Sequence, residues 1–286
     1  MRVVDRLLLA YLAFVSLVAG WRLVAGTGGP DLWALLAMHG LFVALLALCV
    51  RLPPEARVGP WLHDFYPLII IAALYTEIGI LNNQVPRATI FQHDAVIQRW
   101  EAALFGSQPS RDWIRNAPSV FWSGLLHGAY FAYYPIVLFG PLALAIRGQR
   151  EAARHVILLM MTAFVLCYVP FILYPVAGPN YLFPHPTGPV RDVWSAKLVY
   201  GLLGQGSSIG AAFPSSHVAA TVATTLGVTQ HWRRLGWVFV PAATLLTIGT
   251  VYCQMHYVID ATAGLAVGVG AWMLTRQDGL RVRAKK

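Results

Sequence analysis

Long apolar runs separated by short polar segments dominate this chain. Each of the longest runs holds about 18 residues or more, enough for one helix to cross a bilayer. The predicted spans are Leu7 to Val24, Leu32 to Val50, Trp61 to Leu81, Val120 to Ile146, His155 to Tyr174, Ile209 to Thr229, Leu235 to Tyr252, and Tyr257 to Leu274. The pattern therefore predicts an all-α, polytopic membrane helix bundle of about eight transmembrane helices.

Composition supports this prediction. Of the 286 residues, 57% are hydrophobic and only 12% are charged, which is typical of a membrane protein and excludes an ordinary soluble domain. The formal net charge is +9, but the basic residues are dispersed between apolar runs and form no patch, so no nucleic-acid partner is expected. The expected partners are the bilayer and its lipids, and the pattern leaves the oligomeric state open.

The basic residues indicate topology instead. With the N-terminus in the cytoplasm, all but seven of the 21 Lys and Arg residues fall on the cytoplasmic side. The seven outside are Arg22, Arg87, Arg99, Arg111, Arg115, Arg191 and Lys197. Both termini are therefore predicted inside. Because no organelle signal is visible, the expected location is a bacterial plasma membrane.

Two polar blocks stand at the beginning of apolar runs. In the predicted topology, both blocks lie on the non-cytoplasmic side of the membrane. The first is Pro214-Ser215-Ser216-His217, and the second contains His256 and Asp260. Residues four apart share a helix face, so Asp260 can accept a hydrogen bond from one ring nitrogen of His256 and leave the other as a nucleophile. Ser215, Ser216 and the free amides of a helix start are suited to bind phosphate, with His217 as acid and base. This constellation predicts phosphoryl transfer through a phosphohistidine.

Other interpretations of the same residues remain open. A Ser-Ser pair before a helix is a common N-cap, and a histidine at a membrane interface is often only amphipathic. A metal site built from His217, His256 and Asp260 leaves the serines without a role, so we expect neither a metal nor another cofactor. Two competing classes are a non-enzymatic lipid-binding or transport protein and a membrane haem protein. Within the main class, water as acceptor makes a phosphatase and an alcohol makes a phosphotransferase.

The segments around these blocks carry further candidates. The amphipathic stretch from Gln92 to Phe105 is predicted to lie in the interface plane with its charges away from the apolar face, either as an ordinary cap over the bundle or with a role in lipid entry. The Pro- and Gly-rich loop after Tyr174 is predicted to cover the site. Its candidate substrate contacts are Gly178, Pro179, Asn180 and Tyr181, with Arg191 and Lys197 as candidate headgroup contacts further on.

Four residues inside predicted spans need separate explanations. Glu77 and His127 are ionisable groups at membrane depth, for which a hydrogen bond between helices is the favoured account. Gly264 and Gly268, four apart on the last span, predict close helix packing.

The two polar blocks resemble those of the type 2 phosphatidic acid phosphatase superfamily. Pro214 to His217 is similar to its Pro-Ser-Gly-His block, and His256 with Asp260 to its closing His-x-x-x-Asp block. The resemblance covers a six-helix core at residues 61–275, leaving two additional N-terminal helices at 1–60 and a basic cytoplasmic tail at 276–286. It implies that His256 is the nucleophile, Asp260 its partner and His217 the acid and base, acting on a lipid phosphate or phospholipid.

The chain departs from the superfamily pattern in the phosphate-neutralising residues. The Lys-x6-Arg-Pro block is absent, Gly249 and Thr250 occupy the Ser-Arg positions, and Ser216 replaces a glycine. The pattern is closer to the branch of inositol phosphorylceramide and sphingomyelin synthases, which has a similar Gly-Pro turn, although Asn180 stands where arginine often follows. Fewer cations favour a phosphodiester, which carries one negative charge, and hence headgroup transfer or lipid-phosphate hydrolysis without a metal.

Overall fold

The structure is a computed structural model, and it describes residues 1–51 and 59–284. Regular secondary structure in these residues is helical, apart from one isolated parallel bridge between Val176 and Ala211, which confirms the all-α prediction. The helices are α1 Val3–Val24, α2 Asp31–Arg51, α3 Gly59–Asn82, α4 Arg87–Phe105, α5 Pro109–Asn116, α6 Val120–Phe131, α7 Tyr133–Ile146, α8 Arg150–Leu173, α9 Pro179–Leu182, α10 Pro189–Asp192, α11 Trp194–Gly206, α12 Ser216–His231, α13 Arg233–Tyr252 and α14 Val258–Ala284. Arg57, Lys285 and Lys286, assigned to the cytoplasmic side by the sequence, lie outside the described residues.

Six described helices are long and apolar enough to cross a membrane, compared with the eight spans predicted. They are α1, α2, α3, α8, α13 and α14, and a seventh span results if α6 and α7, which are bent by 41° at Ala132, cross together. The predicted span from Ile209 to Thr229 becomes helical only at Ser216, so α12 has 16 residues. Before it, the amide of Ala212 pairs with the carbonyl of Val176 at 3.0 Å, and Pro214 has no amide hydrogen to continue a helix.

The chain divides into two compact units, Met1–Pro86 and Arg87–Lys286. The first contains α1 to α3, whose buried polar side chains pair across helices. The Nε2 atom of His39 lies 2.8 Å from Oε2 of Glu77, and its Nδ1 atom lies 2.7 Å from Oγ of Ser16. The predicted interhelical pairing of Glu77 is therefore confirmed. The predicted domain boundaries at residues 60 and 275 stay predictions.

The second unit is built around α12. This short helix is buried along most of its length and packs against α7, α8, α13 and α14. The predicted close approach at Gly264 and Gly268 is confirmed, because a Cβ atom there would lie 2.4 Å from the carbonyl oxygen of Ser215 and 2.7 Å from that of Ala219. The crossing brings the first turns of α12 and α14 together, and the amide of Ser215 donates to the carbonyl of Asp260 at 2.9 Å.

Candidate active site

The start of α12 carries the two predicted serines. Ser215 is the N-cap residue, and its Oγ atom accepts a hydrogen bond from the amide of Val218 at 3.3 Å. Ser216 is the first helical residue, and both serines are buried. The Ser215 oxygen acts only as an acceptor in this bond, so its hydroxyl hydrogen can still be donated. A helix start with unpaired amides and a hydroxyl donor is chemically suited to hold phosphate oxygens.

The two predicted histidines face each other at this helix start. The ring centroids of His217 and His256 are 5.9 Å apart. The His217 ring stacks on Tyr130 with centroids 5.0 Å apart, and its Nε2 atom lies 3.3 Å from the Tyr130 hydroxyl. Tyr133 contacts the same ring at 4.5 Å. Neither tyrosine was a candidate from sequence, although both lie in a predicted span. Together they fix the orientation of His217.

His256 occupies the turn between α13 and α14. Its backbone amide donates to the carbonyl of Thr250 at 2.9 Å, and the residue is buried. Burial lowers the pKa of His256 to about 4, opposed by a hydrogen bond to the backbone of Ala212. The ring is therefore neutral at neutral pH, which is the protonation state that a nucleophile needs.

Asp260 lies beside His256, but the pair is arranged differently from the sequence prediction. Because α14 begins at Val258, His256 precedes the helix and the two residues do not share a helix face. The Nδ1 atom of His256 is 3.6 Å from Oδ2 of Asp260, which is within ion-pair range and longer than a hydrogen bond. Oδ2 instead accepts the amide of Tyr257 at 2.9 Å, and Oδ1 has no partner in the described residues. The carboxylate thus faces one ring nitrogen of His256.

The loop after α8 reaches the same turn at Gly178 and Pro179. Gly178 has a φ of 91°, and a Cβ atom there would lie 2.9 Å from the Cβ of Ala212, so glycine suits both the backbone and the space. Gln254 donates through Nε2 to the carbonyl of Pro179 at 3.4 Å. The Oδ1 atom of Asn180 is buried without a partner among the described residues. Tyr181 is exposed, and its hydroxyl pairs with Oγ of Ser207 at 2.7 Å.

Two carboxylates of α4 were missed as site residues. The prediction for this helix placed its charges away from the apolar face, and Leu104 is indeed exposed, but Asp94 and Glu101 are fully buried. They lie seven residues apart, which is two helical turns and therefore the same face as the buried Ile97. The prediction of an outward charged face is wrong for these two residues. Their spacing relative to Ile97 was the available signal.

Both carboxylates hold the backbone around His256. Asp94 accepts the amides of Ala177 and Gly178, each at 2.8 Å, and the hydroxyl of Tyr257 at 3.1 Å. Glu101 accepts the amide of Val258 through Oε1 at 2.5 Å, whereas its Oε2 has no partner in the described part of the chain. These bonds compensate the cost of removing two carboxylates from water.

Burial raises the pKa of both carboxyl groups on α4. It raises the pKa of Glu101 to about 7, and the nearby charge of Asp260 adds to this while the amide of Val258 opposes it. Burial also raises the pKa of Asp94, opposed by the amides of Ala177 and Gly178. The surroundings of His256 are therefore rich in carboxyl groups, one of which titrates near neutral pH.

Three of the four cations near the loop already have polar partners. Arg115 donates to Oε1 of Gln254 at 2.8 Å and also to the carbonyls of Arg111 and Pro184. Arg111 pairs with Asp112 at 2.6 Å, and the exposed Lys197 lies 3.7 Å from Asp192. Arg191 instead packs its guanidinium over the ring of Tyr200, 4.1 Å from the centroid. Arg115 and Gln254, which tie the loop to the His256 turn, were not found from sequence.

His127 also differs from its prediction. Its Nδ1 atom lies 2.8 Å from the carbonyl oxygen of Ser123 on the same helix, and its Nε2 atom has no partner, so the expected bond between helices is not found among the described residues. In the described residues, no group of three or more His, Cys, Asp or Glu side chains is placed to hold a metal ion.

A protein-family model described as the PAP2 superfamily matches residues 95–274. The match begins in α4, ends in α14, and includes both polar blocks. No curated protein and no solved structure matches the chain.

Proposed function

The chain belongs to the PAP2 superfamily, whose members are generally metal-independent phosphatases, and we propose that it is a lipid phosphatase or phosphotransferase acting through a phosphohistidine. The observation that carries the proposal is the placement of His217 and the buried His256 at the start of α12, with their ring centroids 5.9 Å apart. Asp260 faces the ring nitrogen of His256 that does not attack.

In the first step, His256 attacks phosphorus. A nitrogen–phosphorus bond forms, the bond from phosphorus to the departing alcohol oxygen breaks, and His217 transfers a proton to that oxygen. Ser215 and the first amides of α12 hold the phosphoryl oxygens, while Asp260 stabilises the positive charge on the substituted ring. In the second step, His217 removes a proton from water or an alcohol, which attacks phosphorus and releases His256.

For the substrate, we propose a phospholipid whose headgroup is transferred to an alcohol, in the manner of an inositolphosphotransferase, or a lipid phosphate that is hydrolysed. The missing cation block supports a phosphodiester, because one negative charge needs less neutralisation than two. The carbonyl and carboxylate partners of Arg115 and Arg111 support it further, since these cations are already paired. The Gly178-Pro179 turn supports a relation to the inositol phosphorylceramide and sphingomyelin synthase branch.

The test compares purified wild-type protein with His256→Ala in detergent micelles on labelled lipid phosphates and phosphodiesters. We expect the variant to lose activity by about a thousandfold or more, because the covalent intermediate cannot form. His63→Ala is the matched control, since His63 belongs to the first unit and pairs with Asp5. With water as acceptor, a lipid phosphate releases free phosphate and a phosphodiester releases its phosphorylated headgroup. A new headgroup-bearing lipid identifies an alcohol as acceptor. Equal activity of the wild type and His256→Ala would contradict the mechanism, and a folded wild type without any activity would favour a lipid-binding protein.

A further inference from the structure

His127 presents a buried hydrogen-bond acceptor close to the proposed catalytic site. Its Nδ1 atom lies 2.8 Å from the carbonyl oxygen and 3.1 Å from the Oγ atom of Ser123. The Ser123 hydroxyl donates its hydrogen to the carbonyl of Val190, so both oxygens can only accept from the ring. Nδ1 therefore carries the hydrogen of the neutral ring, and Nε2 has a lone pair that can accept a hydrogen bond. The residue is fully buried, and Nε2 has no partner among the described residues.

Arg191 presents an unpaired donor beside the same aromatic ring. Its guanidinium lies 4.1 Å from the centroid of Tyr200, and the His127 ring lies 5.6 Å from that centroid. The Nη1 atom of Arg191 is buried without a hydrogen-bond partner in the part of the chain that the structure describes. An unpaired buried donor or acceptor is unfavourable, because it has lost its hydrogen bonds to water without gaining others. A donor and an acceptor left unpaired around one ring indicate that a ligand pairs with both.

The chemistry of these two atoms selects the ligand. A hydroxyl group can donate its hydrogen to Nε2 of His127 and accept from Nη1 of Arg191, whereas a quaternary ammonium can do neither. The local charge also disfavours a cationic ligand. The ring of His185 lies 5.4 Å from that of Tyr200, burial lowers its pKa, and the positive charges of Arg191 and Arg115 lower it further. The ring of Tyr200 supplies an apolar face beside these polar atoms.

The position of these residues relates them to the reacting phosphorus. His127 precedes Tyr130 by three residues on α6, so the two share a face about 4.5 Å apart along the helix axis. The Tyr130 hydroxyl lies 3.3 Å from Nε2 of His217. A group attached to phosphorus beside His256 and His217 can therefore extend towards His127.

Resting on the proposed function, we propose that His127, Arg191 and Tyr200 form a subsite that binds hydroxyl groups of the substrate headgroup. The enzyme then prefers phospholipids with hydroxylated headgroups to those with cationic headgroups.

The experiment measures the initial rate of diacylglycerol formation from phosphatidylglycerol, phosphatidylcholine and phosphatidic acid with identical acyl chains in mixed micelles. For the wild type, we expect kcat/KM for phosphatidylglycerol to exceed that for phosphatidylcholine at least tenfold. In His127→Phe and Arg191→Gln the ratio should fall to within about threefold of unity, with the phosphatidylcholine rate retained. His127→Gln, which keeps an acceptor, should retain part of the preference. Arg99→Gln, at an exposed position of α4, is the matched control and should leave the ratio unchanged.

Each other outcome has a distinct meaning. A wild type that cleaves both diesters equally, or only phosphatidic acid, would contradict this subsite and leave the proposed function standing. Variants that lower both diester rates to the same extent would indicate a structural role and also contradict it. Because Arg191 lies on the short helix α10, its variant tests the subsite even if His127→Phe does not fold. A folded wild type that forms no product from any of the three lipids would contradict the proposed function, and the subsite with it.

Discussion

Glu101 is a carboxyl group whose protonation differs between the folded and unfolded chain. Its ordinary pKa of 4.5 rises to about 7 in the folded protein, chiefly because of burial. Between these two values the folded protein retains a proton that the unfolded chain has released. The contribution of Glu101 to stability is therefore greatest below pH 4.5 and is lost as the pH rises through about 7. His256 acts in the opposite direction, since its lowered pKa costs stability as the pH falls below 6.5.

We expect Glu101→Gln to remove the loss of stability that the wild type shows as the pH rises from about 5 to 7.5. The amide cannot ionise, and its oxygen can still accept the amide hydrogen of Val258. The measurement is the difference in thermal stability between the two proteins in detergent across this pH range. The contribution of His256 is the same in both proteins and cancels in this difference. Glu151→Gln, at an exposed carboxylate on α8, should follow the wild-type curve. Parallel curves for Glu101→Gln and the wild type would contradict the assignment.

At the scale of whole helices, the crossing of α12 and α14 determines where the proposed catalytic groups meet. Its contact at Gly264 lies one turn after Asp260 and touches the carbonyl of Ser215, the N-cap of α12. The backbones approach this closely because glycine has no side chain at the contact. The distance between the proposed nucleophile and the helix start that is proposed to hold phosphate therefore depends on the absence of a side chain at Gly264.

Gly264→Ala is expected to separate α12 from α14, because its Cβ would lie 2.4 Å from a backbone oxygen. We expect a loss of about 1–3 kcal/mol in stability and at least a tenfold loss of activity. Gly270→Ala on the same helix is the matched control, since its Cβ meets nothing within 4 Å. Alanine has the higher helix propensity, so this control should be as stable as the wild type or more so. Equal behaviour of the two variants would contradict the proposed importance of the crossing.

For α4, the sequence predicted the helix but not the direction in which its carboxylates point. Its amphipathic period predicted a helix, and Arg87–Phe105 is one. The pattern did not predict that Asp94 and Glu101 face inward, because their partners Gly178 and Val258 are 84 and 157 residues further along the chain. A hydropathy pattern over a short stretch of sequence gives no information on partners so far along the chain. The two polar blocks could be recognised from sequence because the candidate residues of each lie within five positions of one another.

For the whole molecule, hydropathy predicted the spans more accurately than their interruptions. The six longest apolar helices all coincide with predicted spans, although their ends differ. The break at Ala132 and the irregular approach to Ser216 were missed, since both segments remain apolar while the backbone leaves the helix. The interruption before Ser216 coincides with a tertiary pairing between Val176 and Ala211, which local hydropathy does not show.

The proposed orientation places the loop around Thr187 outside the cell and the start of α8 inside. Thr187→Cys should therefore react with a membrane-impermeant maleimide in intact cells, whereas Glu151→Cys should react only after permeabilisation. Both positions are exposed, and the native Cys49, Cys167 and Cys253 are all buried, so background labelling should be low. The reverse pattern of labelling would overturn the orientation.

The two carboxylates of α4 also impose an order on biosynthesis. Asp94 pairs with Tyr257, 163 residues later, and Glu101 with Val258, 157 residues later. A ribosome makes the chain from its N-terminus, so both carboxylates and His217 exist well before their partners near His256. On the proposed mechanism, a nascent chain should therefore be inert towards lipid until α14 has been synthesised and inserted. The proposed chemistry thus begins only after His256 and Asp260 have joined the groups that were made before them.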